Sequence, residues 1–473
     1  MNLNKINKGF LALAFAAFAV QTGMAEDTAE VKVYDEVVFY DGYNSNVFDA
    51  GKDDGVLRFS NSHYSVKLDT ERFREAKGNL KMKVDIGALC DNYDRIGNIN
   101  LAFVPKGQET YVPKEVERIE ITRFITPFMN KNKKPYEVPY EYDIPNVSHI
   151  LRDAGLNEKY DFWLEFELFG IPYAANTQVT GCKDRNDVFA GTVSFTFTPS
   201  AGAGMERGNV VVPVYLKTPE HYGNVNLNNY NEQATDTLGV TTRTFEFEVP
   251  EDVNDACIYL ILTNHGAGAN GEEYVRRHHL VYYDDDIVLS YKPGGVSCEP
   301  YRQYNTQANG IYGTKPLKDS YWEANSNWCP GQAVPIREIR LGAVKAGKHS
   351  VMIRVPDAVF YGNDGDFRPS IYFHGLTDGV IEASVDRVWF EGASVDVNIE
   401  GRIVKFASNE PVVMVTVHSY DGMKQLSAGS LRGPSVGTAG LHEVSLEGLP
   451  SGAYILTFYT DDGRTTPKKI LLK

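Results

Sequence analysis

Apolar and polar residues alternate in short runs through most of the chain. Asn79-Leu80-Lys81-Met82-Lys83-Val84-Asp85-Ile86 and Ile99-Asn100-Leu101-Ala102-Phe103-Val104 both show a period of two, which predicts half-buried strands. The runs Val31–Tyr34, Val37–Tyr40, His63–Leu68, Arg118–Ile125, Asp161–Phe169 and Gly191–Thr198 also read as strands. Pro127 lacks a ladder N–H and closes the Arg118 run. One stretch, Val147–Ala154, has a helical pattern. Regular short strands with few helices predict a sandwich or jelly roll. Pro199-Ser200-Ala201-Gly202-Ala203-Gly204 reads as a flexible linker. A second β block follows, with strands at Val210–Tyr215, Thr241–Val249, Ala256–Thr263, Val275–Tyr283, Ser350–Val355 and Pro369–His374. Residues 391–473 form a third block without Cys or Trp, expected to be a small β-sandwich.

The ends and the charge refine this picture. Lys5 and Lys8 precede the apolar run Phe10–Val20, and Gly23-Met24-Ala25 offers small residues for cleavage. Residues 1–25 therefore read as a secretory signal peptide. No other apolar stretch reaches the ~20 residues of a membrane span. At 473 residues the chain is too long for one core. A formal charge of -15 argues against nucleic acid as partner.

Five cysteines, Cys90, Cys182, Cys257, Cys298 and Cys329, suit an exported chain, with at least one thiol left over. Cys257 lies in an apolar strand and reads as a buried thiol. A Cys298–Cys329 disulfide would close a Tyr-, Asn- and Gly-rich loop and contribute ~3–4 kcal/mol on the loop-entropy account. It would also present Trp322 and Trp328 for stacking on a sugar ring. No close cysteine pair suggests zinc, and the adjacent His278 and His279 would point to opposite faces of a strand. The glycine loop after His265 has no phosphate-binding spacing. No metal and no cofactor are expected.

Two stretches carry candidate chemistry. Cys90-Asp91-Asn92-Tyr93-Asp94-Arg95 is a turn between two strands that brings a carboxylate and a guanidinium to one point. Such a pair can activate water and stabilise a developing oxyanion; the plain alternative is a solvated turn. In the Asp161 strand, Trp163, Glu165, Glu167 and Phe169 share one face, expected to be a sugar-binding or catalytic surface.

Three segments together resemble the peptide-N-glycosidase F family. They are Cys90–Arg95 with Arg123-Phe124-Ile125-Thr126-Pro127-Phe128, then Glu273-Tyr274 followed by His279, then Asn327-Trp328-Cys329-Pro330-Gly331-Gln332-Ala333-Val334-Pro335. The resemblance covers residues 30 to 390. It implies an all-β fold of two adjacent antiparallel jelly-roll sandwiches, each roughly eight-stranded, over 26–199 and 205–390, with the active site between them. It also implies hydrolysis of the amide that joins asparagine to the first N-acetylglucosamine of N-linked glycoproteins or glycopeptides. By the same match Asp94, Glu273 and Glu167 are the catalytic carboxylates, with Glu165 as the alternative to Glu167 on the same face. Arg95, His265, His279, Asn325 and Trp328 fall at substrate-binding positions. The third block, with Leu449-Pro450-Ser451-Gly452-Ala453-Tyr454 and a Lys-rich last strand, resembles the carboxy-terminal sorting domain of type IX secretion. That implies a secreted or cell-surface monomer of a Gram-negative bacterium, exported by machinery that reads the tail.

The chain departs from the family pattern in places. No cysteine precedes Cys90, which is expected to pair with Cys182 instead. Gly271 and Val275 stand where the family has a cysteine pair around its glutamate. Asn325 replaces an arginine and His265 a tryptophan. A rival expectation is therefore a glycan-binding protein on the same scaffold. A copper monooxygenase is disfavoured, because the chain has only 10 His and no ligand pair.

Overall fold

The computed structural model describes residues 30–46, 54–75, 79–198, 208–216, 241–266, 271–277, 279–284, 286–323, 326–355, 357–360, 365–379, 381, 395–408, 412–419, 425–429, 440–460 and 465–472. The expected signal peptide, the linker at 199–204 and Asn325 lie outside the described residues.

The protein is all-β, built from three pairs of antiparallel sheets. In the first pair, a four-stranded sheet runs Val31–Tyr40, Asp187–Thr198, Asn79–Ala88, Glu137–Asp143. Its partner is five-stranded: Val56–Ser60, His63–Lys67, Tyr160–Leu168, Ile96–Pro105, Arg118–Ile125. The period of two does the work here. Phe162, Leu164, Phe166 and Leu168 face the core between the sheets, where they meet Phe39, Val84 and Phe195. The helix Pro145–Arg152 begins two residues before the expected one, because Pro145 suits a first helical position.

The second pair has two four-stranded sheets. One runs Asn209–Tyr215, Asp366–Leu376, Val253–His265, Arg337–Val344, and the other Thr242–Val249, Gly347–Arg354, His279–Tyr283, Asp286–Tyr291. Ile258, Leu260, Val281, Ile353 and Phe373 fill the space between them. The third pair packs around Val404, Phe406, Leu456 and Phe458. Its last strand, Thr465–Leu472, lies antiparallel to Gly452–Thr460.

The first two units are joined by backbone as well as by side chains. Arg118–Ile125 is the edge strand of the five-stranded sheet, so its outer N–H and C=O groups need partners. The Trp-Cys-Pro-Gly segment supplies them. Ile125 N donates to Gln332 O at 3.0 Å, Gly331 N to Ile125 O at 3.0 Å and Val334 N to Arg123 O at 2.9 Å. Cys257, Tyr259 and Tyr372 of the second unit pack into the first unit's apolar cluster. Asn146 donates to the Tyr372 hydroxyl at 2.7 Å.

Disulfides join Cys90 to Cys182 and Cys298 to Cys329, and Cys257 is free and buried. All three agree with the expectations from the sequence.

Candidate active site

The turn after Asn79–Ala88 is held from several sides. The Asp91 carboxylate accepts from Tyr93 N at 2.9 Å, Ile171 N at 2.8 Å and Arg95 Nε at 2.7 Å. Thr126 ties down the next step: its Oγ1 accepts from Arg95 N at 2.7 Å and donates to Tyr93 O at 3.2 Å. The Arg95 guanidinium lies over the Tyr93 ring at 4.7 Å and the Phe169 ring at 5.8 Å. Its Nη2 is buried without a hydrogen-bond partner, so one donor is open. Asp94 projects from this clamped turn, half-buried.

The second unit brings Glu273 to the same place. Glu272 is fully buried and paired with Arg277 at 2.7 Å, and it also accepts from Val359 N and Phe360 N. Asn327 Nδ2 donates to the carbonyls of Glu272 and Glu273 at 2.6 and 2.7 Å. Glu273 is thus presented on a short, fully anchored segment. Burial first, and the charge of Glu273 second, push the Asp94 carboxyl up to about 8, against the opposing pull of Arg95. Asp94 therefore keeps its proton through neutral pH.

The disulfide-closed loop 298–329 reaches over to the first unit. Asn305 Oδ1 accepts from Phe128 N at 2.8 Å, Thr306 Oγ1 accepts from Asn130 N at 2.9 Å, and Gln307 N donates to Phe128 O at 2.9 Å. At its tip the Tyr312 hydroxyl meets that of Tyr93 at 2.9 Å. The loop corrects one expectation. Trp322 and Trp328 are buried, and Trp328 Nε1 donates to Asn264 O, so neither offers a stacking plane. The exposed aromatics around the carboxyl pair are tyrosines, Tyr274 and Tyr312. In the sequence Tyr274 stands out only as the neighbour of Glu273, and nothing signals Tyr312.

The face carrying Glu165 and Glu167 is a second correction. It is not open: Trp163, Glu165 and Glu167 are all buried, with Tyr111 and Phe59 packed beside Trp163. Arg118 binds Glu165 through Nε at 2.6 Å and Nη2 at 2.9 Å, and the Tyr111 hydroxyl donates to it at 2.7 Å. Burial raises the Glu165 carboxyl, but Arg118 and His63 outweigh it and hold it well below the usual range. Glu167 is raised by burial and accepts from Asn100 at 2.7 Å. His63, Glu165 and Glu167 are one group of donors close enough for a metal ion among the described residues. Glu165 is already occupied by Arg118 and Tyr111, and a guanidinium beside the group disfavours a cation. The donor set does not fit a metal.

His279 is buried, stacked on Tyr291 at 5.0 Å, with Nδ1 against Arg277 O. It supports the Arg277 segment rather than facing substrate. His265 lies 6.0 Å from Trp328, with Nε2 at 2.9 Å from Thr263 Oγ1. Burial, then Arg368 and Arg123, hold its imidazole well below the ordinary value.

Family models described as peptide-N-glycosidase F, N terminal and C terminal, match residues 30–183 and 229–370. The chain belongs to the peptide-N-glycosidase F family. Among solved structures it is similar to PNGF-II, at 19% identity and a TM-score of 0.54 over 75% of this chain and 66% of that one. It thus spans just under two thirds of PNGF-II's length, and the likeness shows the fold. PNGase F, a glycosylasparaginase from Flavobacterium meningosepticum, aligns at 18% identity and a TM-score of 0.45, over 75% of this chain and 97% of that one. No curated protein sequence matches.

Proposed function

We propose that the protein hydrolyses the amide between asparagine and the first N-acetylglucosamine of an N-glycan, releasing a glycosylamine and leaving aspartate. The observation that carries this reading is the Asp94–Glu273 pair, one carboxyl from each unit, with Asp94 pushed up to about 8. Amide hydrolysis by water needs a base, an acid and charge stabilisation at the oxygen. The ionised member of the pair takes a proton as water adds to the amide carbon. The protonated member gives its proton to the leaving nitrogen as the C–N bond breaks. The positive charge of Arg95 beside Asp94 stabilises the oxyanion. Glu167, buried and bonded to Asn100, is a third carboxylate by family position.

The test is mass spectrometry of an N-glycopeptide incubated with the protein in heavy-oxygen water. Free glycan and heavy oxygen in a new aspartate support the amidase. An intact glycopeptide that still binds the protein would favour the glycan-binding reading, in which the changes at Asn325 and His265 have removed catalysis. Export through a type IX pathway is part of the same proposal and rests on the tail's Leu449–Tyr454 and Lys468-Lys469 pattern. Truncating residues 391–473 should then trap the protein inside the cell envelope.

A further inference from the structure

Three phenols surround the carboxyl pair. Tyr93 comes from the first unit, and Tyr274 and Tyr312 from the second. Tyr93 and Tyr312 touch through their hydroxyls at 2.9 Å, and their rings stand 6.1 Å apart at 70°. Phe128 makes edge contacts with both, at 5.8 Å to Tyr93 and 6.2 Å to Tyr312. Tyr274 follows Glu273 directly in the chain and is partly exposed beside the pair. The backbone beneath it is fixed, since Tyr274 N donates to Gly271 O and Asn327 N to Glu273 O, both at 3.1 Å. Tyr312 is 60% exposed, yet its loop is bonded to Phe128 and Asn130 and its hydroxyl is engaged. That is costly for a surface side chain with rotamers to lose, unless the position matters.

We propose that Tyr312 is a positioning residue for the carboxyl pair: its hydroxyl fixes the Tyr93 ring that lies against the Arg95 guanidinium, and so closes the site around Asp94. This rests on the amidase reading for its purpose, not for its chemistry.

All three phenols are raised above their ordinary value, chiefly by burial and by the neighbouring carboxylates, so they stay protonated donors at every working pH. The charged and titratable groups facing the pair are Asp91, Tyr93 and Arg95 on the first unit and Tyr274 and Tyr312 on the second. A closed site favours a neutral acid, so Tyr312 keeps the Asp94 carboxyl protonated to higher pH.

The experiment is a carbon-13 carboxyl titration of the full chain, wild type against Tyr312→Phe, with circular dichroism as the check on folding. Phenylalanine keeps the ring and removes only the hydroxyl. In Tyr312→Phe the Asp94 titration should fall from about 8 by about one unit as water enters. If the variant folds and titrates like wild type, Tyr312 is only packing and the proposal is overturned. Glycopeptide turnover is measured alongside. A wild type without turnover removes the amidase reading while the titration still decides the role of Tyr312.

Discussion

Arg123 of the first unit donates from Nη1 to Thr263 Oγ1 of the second at 2.9 Å, and to Arg368 O at 2.7 Å. Its other side is paired with Glu120 at 2.8 Å, with both side chains fully buried. Thr263 in turn holds His265, so one guanidinium links the edge strand of the first unit to the strand Val253–His265 of the second. Arg123→Met should destabilise the protein by about 3–5 kcal/mol, because it leaves a buried carboxylate without its counter-charge. Glu120→Gln combined with Arg123→Met should recover most of that stability. It should not recover turnover, which depends on the alignment of Asp94 with Glu273 across the same boundary. Urea unfolding and glycopeptide turnover of both variants separate the two effects. A double variant with wild-type turnover would show that the latch serves stability alone.

Asp94 carries an opposition between stability and function. Its carboxyl is raised to about 8 in the folded protein, from an ordinary value of 3.8. The folded state therefore binds this proton more tightly than the unfolded chain does. Stability is greatest below the unfolded value and declines as pH rises through the window from 3.8 to about 8. Asp94→Asn removes the ionisable group. It should abolish turnover and stabilise the fold above pH 8 by about 1–2 kcal/mol, after a discount for solvent in the cleft. Thermal unfolding at acid and alkaline pH checks this. An Asn variant less stable than wild type at alkaline pH would mean that the carboxyl is not held against its own charge.

The strands and the two apolar cores were legible because a period of two reports which side of a sheet is dry. The same period says nothing about what lies over the other side. Trp163, Glu165 and Glu167 alternate correctly, but Tyr111 and Phe59 pack beside Trp163 and the face is closed, which alternation within one strand has no means to show. The loop 298–329 misleads for a related reason. Tryptophans in a polar loop look exposed, yet Trp322 packs with the disulfide, and it is Tyr312 that turns outward. Asp94 was marked by its charged turn beside Arg95, whereas Glu273 was legible only through the family resemblance. They lie far apart in the chain, and local pattern holds no signal that the two units dock through Phe124 and Ala333.

Glu165 and Glu167 are separable by experiment. Glu165→Gln breaks a fully buried pair with Arg118 and should cost about 3–5 kcal/mol. The carboxyl of Glu165 is depressed in the fold, so its contribution is complete above the ordinary carboxylate range and is lost as pH falls through its lowered value. Acid unfolding of wild type should therefore be steep below about pH 4, and shallower in the Gln variant. Turnover per folded molecule should survive in Glu165→Gln. Loss of turnover in Glu167→Gln with the fold retained would give Glu167 the catalytic role that its family position implies; equal turnover in both would leave the two carboxylates as structural.

The disulfide Cys298–Cys329 has a sequence separation of 31 and closes the loop that carries Tyr312. Breaking it frees both ends of that loop in the unfolded chain, worth about 3–4 kcal/mol on the entropy account. The folded-state consequence is more specific. The loop is anchored on the first unit by two hydrogen bonds at Phe128 and two at Asn130, each of about 1 kcal/mol, and they hold best while its base is pinned. Cys298→Ser with Cys329→Ser should therefore loosen the Tyr93–Tyr312 contact before it unfolds the sandwiches. Hydrogen exchange at Gln307 and Gly310 should speed up, while exchange at Leu260 and Phe373 in the second core stays slow. Turnover should fall with it, and the fall should match that of Tyr312→Phe rather than exceed it, if closing the site is what the loop does. Unchanged exchange at Gln307 would place the loop's order in its contacts with the first unit instead of in the disulfide.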